Sequence, residues 1–144
     1  MPNANMLIRP YAPADEEAVV QLWQECQLTR PWNDPRRDIA RKLRVNPELF
    51  LVGTVDNRVV ATIMGGYEGH RGWVNYLAVA PAHRKQGLGQ AIMQAIEEKL
   101  RAMGCPKINI QIRTDNAAAI AFYAKLGYQP DAAVSLGKRL EQDG

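Results

Sequence analysis

The chain is poor in the side chains that usually build disulfides, metal sites and nucleophilic hydroxyls: its 144 residues include two cysteines, two histidines and one serine. Cys26 and Cys105 lie far apart with no Cys-x-x-Cys pairing, which reads as two reduced thiols. His70 and His83 have no partner at zinc-ligand spacing, so no metal is expected and both read as solvated turn residues. Ser135 stands outside any Gly-x-Ser-x-Gly elbow, which argues against a serine hydrolase. No run approaches the roughly 18 apolar residues of a membrane span, and residues 1–11 carry no apolar leader. A cytoplasmic protein without membrane contact is the expectation.

Charge of one sign is also scarce. Lys+Arg number 18 against 15 Asp+Glu, a formal charge of +3. The pI of about 9.0 hints at a polyanion, yet no basic stripe interleaved with aromatics appears, and nucleic acid is not an expected partner. What is present is ordinary for a globular domain, with 47% hydrophobic and 23% charged residues. Those proportions exclude a disordered chain. The length fits a single domain, 1–144, able to bury roughly 70% of its unfolded surface.

Hydrophobic periodicity supplies the elements. A short apolar run from Met6 to Tyr11 reads as a strand, and Asp15, Glu16 and Glu17 open a helix at the end where its dipole favours acids. Val19, Leu22, Trp23 and Cys26 follow at helical spacing. Two prolines, Pro31 and Pro35, mark a loop. A short helix after it turns Ile39 and Leu43 inward and carries Arg36, Arg37, Arg41, Lys42 and Arg44, read as a solvated basic face. Residues 49–55 and 59–64 are strand-like around Asp56-Asn57-Arg58, a natural hairpin. Gly65-Gly66 and residues 68–72 read as a second turn, leading into a strand over 73–79.

A long helix then stacks Leu88, Ile92, Ile96 and Leu100, and Gly104 ends it. Ile108, Ile110 and Ile112 alternate with polar residues as a strand does. A last helix runs from about Asn116 to Leu126, and residues 134–136 read as a closing strand. The expected fold is mixed α/β, a mostly antiparallel central sheet flanked by helices in the order β-α-α-β-β-β-α-β-α-β.

Chemistry concentrates in residues 76–89. A strand leads through a glycine-containing loop into a helix, whose first N–H groups and dipole make an anion site. Arg84 and Lys85 add positive charge beside it, and phosphate is the guest this suits. No Lys-Ser/Thr pair completes a P-loop, and Ile92 stands where a dinucleotide fingerprint needs its third glycine.

The spacing Arg84-x-x-Gly87-x-Gly89 after Leu77-x-Val79-x-Pro81 resembles the acetyl-CoA loop of the GNAT family of N-acetyltransferases. Residues 116–123, with Leu126-Gly127-Tyr128 after them, look like that family's other motif. Residues 30–34, 65–72, 104–108 and 135–140 are further similar to the bacterial YpeA-type acetyltransferases. The resemblance implies acetyl-CoA as cosubstrate and a small-molecule or protein amine as acceptor. A homodimer is common among similar proteins.

By the same resemblance, the backbone of Leu77, Ala78 and Val79 would pair with the pantetheine arm. The amides of Gln86, Gly87, Leu88, Gly89 and Gln90 would hold the diphosphate, with Arg84 and Lys85 reaching towards it. Asn116 would bind pantetheine, and Tyr123 would face the sulfur as the acid. Many relatives carry an acidic residue where this chain has Asn75, and an amide takes no proton. Glu68 is therefore the first choice of base, with His70, or Tyr76 through a water, as alternatives. Arg30, Trp32, Asn33 and Tyr67 are expected around the acceptor. No cysteine lies in the motifs to carry an acyl group, so direct amine attack in a ternary complex is expected. An acyl-CoA-binding module without turnover is the second reading, and a nucleic-acid binder the last.

Overall fold

The computed structural model describes residues 5–143. The reading of a missing leader falls partly on residues 1–4 and so lies outside the described residues. Five strands form one sheet in the order β1-β2-β3-β4-β5: β1 (Leu7–Pro10), β2 (Phe50–Val55), β3 (Arg58–Tyr67), β4 (Gly72–Val79) and β5 (Ile108–Ile110). The first four pair antiparallel and β5 joins β4 in parallel. Four α-helices flank the sheet: α1 (Glu16–Glu25), α2 (Pro35–Lys42), α3 (Leu88–Ala102) and α4 (Ala117–Lys125).

Strands β2 and β3 read as nearly unbroken apolar runs because both of their faces are covered. Phe50, Val52 and Met64 join Val19, Trp23 and Ile39 in one cluster beneath α1 and α2. Leu51, Ala61 and Ile63 point the other way, against Ile92, Met93, Ile96 and Leu100 of α3. Alternation along a strand sorts the side chains between the two cores. Each fully buried Ile or Leu contributes roughly 1.5–3 kcal/mol, and the stripe Leu88, Ile92, Ile96 and Leu100 is at most 2% exposed.

The turns follow their residues. Asp56 and Asn57 both adopt left-handed φ values, +51° and +63°, as a tight two-residue hairpin requires. Gly104, at φ +88°, follows the last residue of the α3 cap.

Four expectations are corrected. Gly65 and Gly66 belong to β3, not to the turn; a Cβ at Gly65 would lie 2.7 Å from Ile96 Cγ1, so glycine there lets α3 approach the strand. Leu43 is 39% exposed and caps α2 instead of facing inward. The basic face of α2 is paired, not merely solvated: Arg36 meets Glu16 and Glu17, and Arg41 meets Asp38, Glu141 and Asp143. Finally, residues 134–136 form no strand, and Val134 and Leu136 are 85% and 90% exposed. Three apolar-flanked residues give too little to fix a register. The segment meets β5 through side chains, Asn109 to Asp131 and Gln111 to Ser135.

Candidate active site

A bulge in β4 shapes the site. Thr62 pairs with Ala78 and Met64 with Asn75, so two steps along β3 face three along β4. The extra residue is accommodated at Tyr76, whose φ is +53°. A left-handed conformation costs a side-chain-bearing residue about 1–2 kcal/mol, and several contacts hold it. The Tyr76 ring stacks on Trp23 with centroids 3.8 Å apart. Its hydroxyl donates to Asp38 Oδ2 at 2.7 Å. Its carbonyl accepts from Thr62 Oγ1 at 2.9 Å, and that hydroxyl in turn accepts from Trp23 Nε1 at 2.9 Å.

Bulged strands bend and twist, and β4 leaves β5 here. The two pair only from Gly72↔Ile108 to Val74↔Ile110. Ile112, which the sequence alternation puts in the strand, falls beyond its end. Between the diverging strands lies a cavity of about 610 Å³. Asn75, Tyr76 and Leu77 form one wall, Gln111 and Arg113 the other, and Asn116 and Tyr123 approach from α4.

Tyr123 is 8% exposed, edge-on to Phe122 and Tyr128. Burial pushes its phenol up to about 12, so it stays protonated at neutral pH. Asn116 caps α4 by accepting from the Ala119 N–H at 3.0 Å, which leaves its amide nitrogen uncommitted by that bond.

Beyond the C-terminal end of β4, Lys85 and Gly87 take positive φ, +63° and +79°, and deliver the chain into α3. The first helical bond runs from the Ala91 N–H to the Gly87 carbonyl at 3.0 Å. The amides of Leu88, Gly89 and Gln90 therefore stay outside the helical ladder. A Cβ at Gly89 would lie 3.2 Å from Phe122 Cζ, so this glycine sets the approach of α3 to α4. Arg84 folds back over the strand end, donating from Nε to the Val79 carbonyl at 3.1 Å.

On the opposite side, Arg30, Trp32 and Asn33 line the same cavity as Asn116 and Tyr123. The Arg113 guanidinium sits 5.4 Å from the Trp32 ring centroid. Tyr67, Glu68 and His70 gather at the β3–β4 turn, the other end of β4, and do not line this cavity. Tyr67 donates to the Gly69 carbonyl at 3.2 Å. The Glu68 carboxylate accepts from the N–H groups of Arg71, at 2.7 Å, and His70. Those backbone bonds, Arg71's first, hold it below the usual carboxylate range. His83 departs from the solvated reading: its Nδ1 is buried and has no hydrogen-bond partner among the described residues.

Sequence reasoning missed three contributors. Cys26 lies on the cavity wall, its thiol donating to the Val79 carbonyl at 3.4 Å. Gln111 lines it just past β5. Asp38 acts on Tyr76 from α2. Periodicity puts Cys26 on a buried helix face and gives no sign that this face ends at a cleft.

A parallel strand pair that splits halfway thus leaves an open edge on the longer strand and an amide-rich helix start beyond it. The family description Acetyltransferase (GNAT) family matches residues 16–128. An acetyltransferase of Yersinia enterocolitica is 50% identical over 138 residues, 96% of this chain and 98% of that one. The structure of Ard1 from Thermoplasma volcanium superposes with a TM-score of 0.81 at 32% identity, covering 90% of this chain and 86% of that one. A ribosomal-protein-S18-alanine N-acetyltransferase of Escherichia coli shares the fold, with a TM-score of 0.70 at 22% identity over 85% of this chain and 76% of its own. The chain belongs to the GNAT acetyltransferase family.

Proposed function

We propose that the chain transfers acetyl from acetyl-CoA to a primary amine by direct attack within a ternary complex. The observation that carries this reading is the split between β4 and β5, which brings an open strand edge, Asn116 and the Tyr123 phenol to one cavity. The residues fit acetyl-CoA. The β4 edge past Val74 has no strand partner on the β5 side and would receive the pantetheine amides, which need partners once out of water. The amides at the start of α3, with Arg84 and Lys85, would hold the diphosphate. Bound acetyl-CoA supplies an activated thioester carbonyl to the attacking amine.

Tyr123 donates a hydrogen bond to the sulfur as negative charge develops there. Its phenol, near 12, holds its proton far more tightly than an alkyl thiol of about 8.5. Donation without full transfer is therefore its main contribution. For the amine's proton, the Tyr76–Asp38 pair stands at the cavity, while Glu68, the first choice from the sequence, lies outside its lining. Glu68→Gln and Asp38→Asn separate them by which variant removes the acidic limb of the kcat/KM profile.

Calorimetric titration with acetyl-CoA, on the parent and on Arg84→Ala, tests the donor site. Binding is expected to weaken about tenfold in the variant, one charge-assisted contact; no binding by the parent sinks the reading. Asn75 on the cavity wall, where an acid would serve as base, favours the second reading, an acyl-CoA-binding module. Thiol release above background hydrolysis with any amine of a panel rejects that alternative.

A further inference from the structure

The donor half leaves residues 135–140 without a role. In the structure, residues 131–143 leave the sheet and run as a strap from β5 to α2. One end is pinned where Asp131 accepts from Lys107 Nζ at 2.9 Å and Asn109 Nδ2 at 2.7 Å, and where Gln111 donates to Ser135. The other end is pinned by Asp143, whose side chain is 1% exposed. It accepts from Arg41 Nη2 at 2.7 Å and from the Asp34 N–H at 2.9 Å. Arg139 also bonds Asn33. Between these anchors, Gly137 to Glu141 face Trp32 and Gln111 across a second cavity of about 650 Å³. Trp32 and Gln111 line both cavities, so the strap walls the acceptor side of the cleft.

This latch consumes the nearby acids and spares cations. Glu141 and Asp143 pair with Arg41, Asp38 is shared by Arg41 and Tyr76, and Asp131 pairs with Lys107. Arg30, Arg113, Lys138 and Arg139 have no ion-pair partner among the described residues. Arg30 donates only to the carbonyls of Gln27 and Thr29. Against these four, Asp115 is the lining carboxylate left unpaired among the described residues.

We propose that the acceptor is a primary amine that also carries a carboxylate, received beside Trp32, where Arg30 and Arg113 line one of the two cavities that this ring borders and Lys138 of the strap lines the other. The inference rests on the acetyltransferase reading and names its substrate class. A cationic wall repels a simple ammonium, and a carboxylate on the same molecule offsets that cost. The wall also favours the neutral, nucleophilic form of the amine, since a like charge disfavours the protonated one. A site so charged has less need of the acid that Asn75 replaces.

The test is calorimetric binding to the CoA-saturated protein. The probes are C-terminally amidated tripeptides beginning with glutamate, glutamine or lysine, and free glycine and glycinamide, which separate a peptide source from a free amino acid. The carboxylate-bearing member of at least one matched pair is expected to bind about tenfold tighter, the worth of one charge-assisted contact. That preference should shrink on going from about 0.05 to about 0.5 M salt. Lys138→Gln, an exposed position with no packing role, should reduce it several-fold with acetyl-CoA affinity unchanged, and Arg113→Gln should reduce it further. Equal affinity within both pairs, no binding of any probe, or a preference indifferent to both variants overturns the proposal. Turnover of neutral amines without acidic preference overturns it alone; acidic preference in binding without turnover of any amine overturns the enzyme reading alone.

Discussion

The two sides of the cleft are made of different materials. In the proposed reading the donor side is backbone, a bulge at Tyr76, an open β4 edge and the unpaired amides where α3 begins, and the acceptor side is the one opposite. The acceptor side is side chains: Arg30 and Trp32 on a loop, and a strap latched through Arg41, Asp143 and Asn33. Backbone geometry is set by packing and barely responds to salt. A latch whose Arg41 and Glu141 are open to solvent, though Asp143 is not, is partly screened and adjustable. A family that shares one donor and differs in acceptors suits such a division, because the acceptor side can change without disturbing the fold.

The comparison can be broken first at Tyr123. Tyr123→Phe should lower kcat about 100-fold while acetyl-CoA affinity holds, since the ring remains packed and only the donor is lost. Stopped-flow thiol release and calorimetry check the two halves of that statement. With the phenol near 12, its protonated form is kept up to that pH, and ionisation removes the donor only as pH rises through 12. Any alkaline loss of kcat below about pH 10 must come from another group.

A smaller effect is expected where the backbone side is braced. Thr62→Val removes the hydroxyl that joins Trp23 Nε1 to the Tyr76 carbonyl and takes this partner from the buried indole N–H and the half-buried carbonyl. Urea unfolding should show a loss of about 2 kcal/mol. Acetyl-CoA affinity should fall with it, because the bulge opens the cleft; a stability loss with unchanged affinity would show that the bulge does not depend on this brace.

The smallest effect belongs to the latch. Asp143→Asn should raise the acceptor KM about threefold at low salt, with kcat and acetyl-CoA affinity unmoved, and high salt should mimic it in the parent. The Arg41 guanidinium, then the Asp34 N–H, hold Asp143 below its ordinary 3.8. Its contribution is therefore complete above that value and fades as pH falls below it. Limited proteolysis of residues 131–143 should be flat from about pH 5 to 8 and rise only in stronger acid.

Much of the molecule was legible in one dimension. The stripe from Leu88 to Leu100 and the Gly104 helix end follow from spacing and turn chemistry and formed as read, and the hairpin after Val55 formed with Arg58 already in β3. The motif residues Leu77, Asn116 and Tyr123 likewise meet at one cavity. Gly65 was not legible as a strand residue, because glycine in a turn and glycine under a helix look alike until Ile96 is placed above it. Nor was the latch on Arg41: besides Asp38 three residues before it, its partners Glu141 and Asp143 lie about a hundred residues away, beyond any local pattern.

By itself, the sequence determined the four α-helices, the cores of the five strands and the glycine-led helix start at Leu88, because those depend on neighbours within a few residues. Tertiary structure alone decided that β4 parts from β5 at Val74, since that follows from Tyr76 being stacked on Trp23 and tied to Thr62 across the sheet. It also decided which of the chain's cations face the cleft without an acid, for pairing is a matter of distance in space and not along the chain.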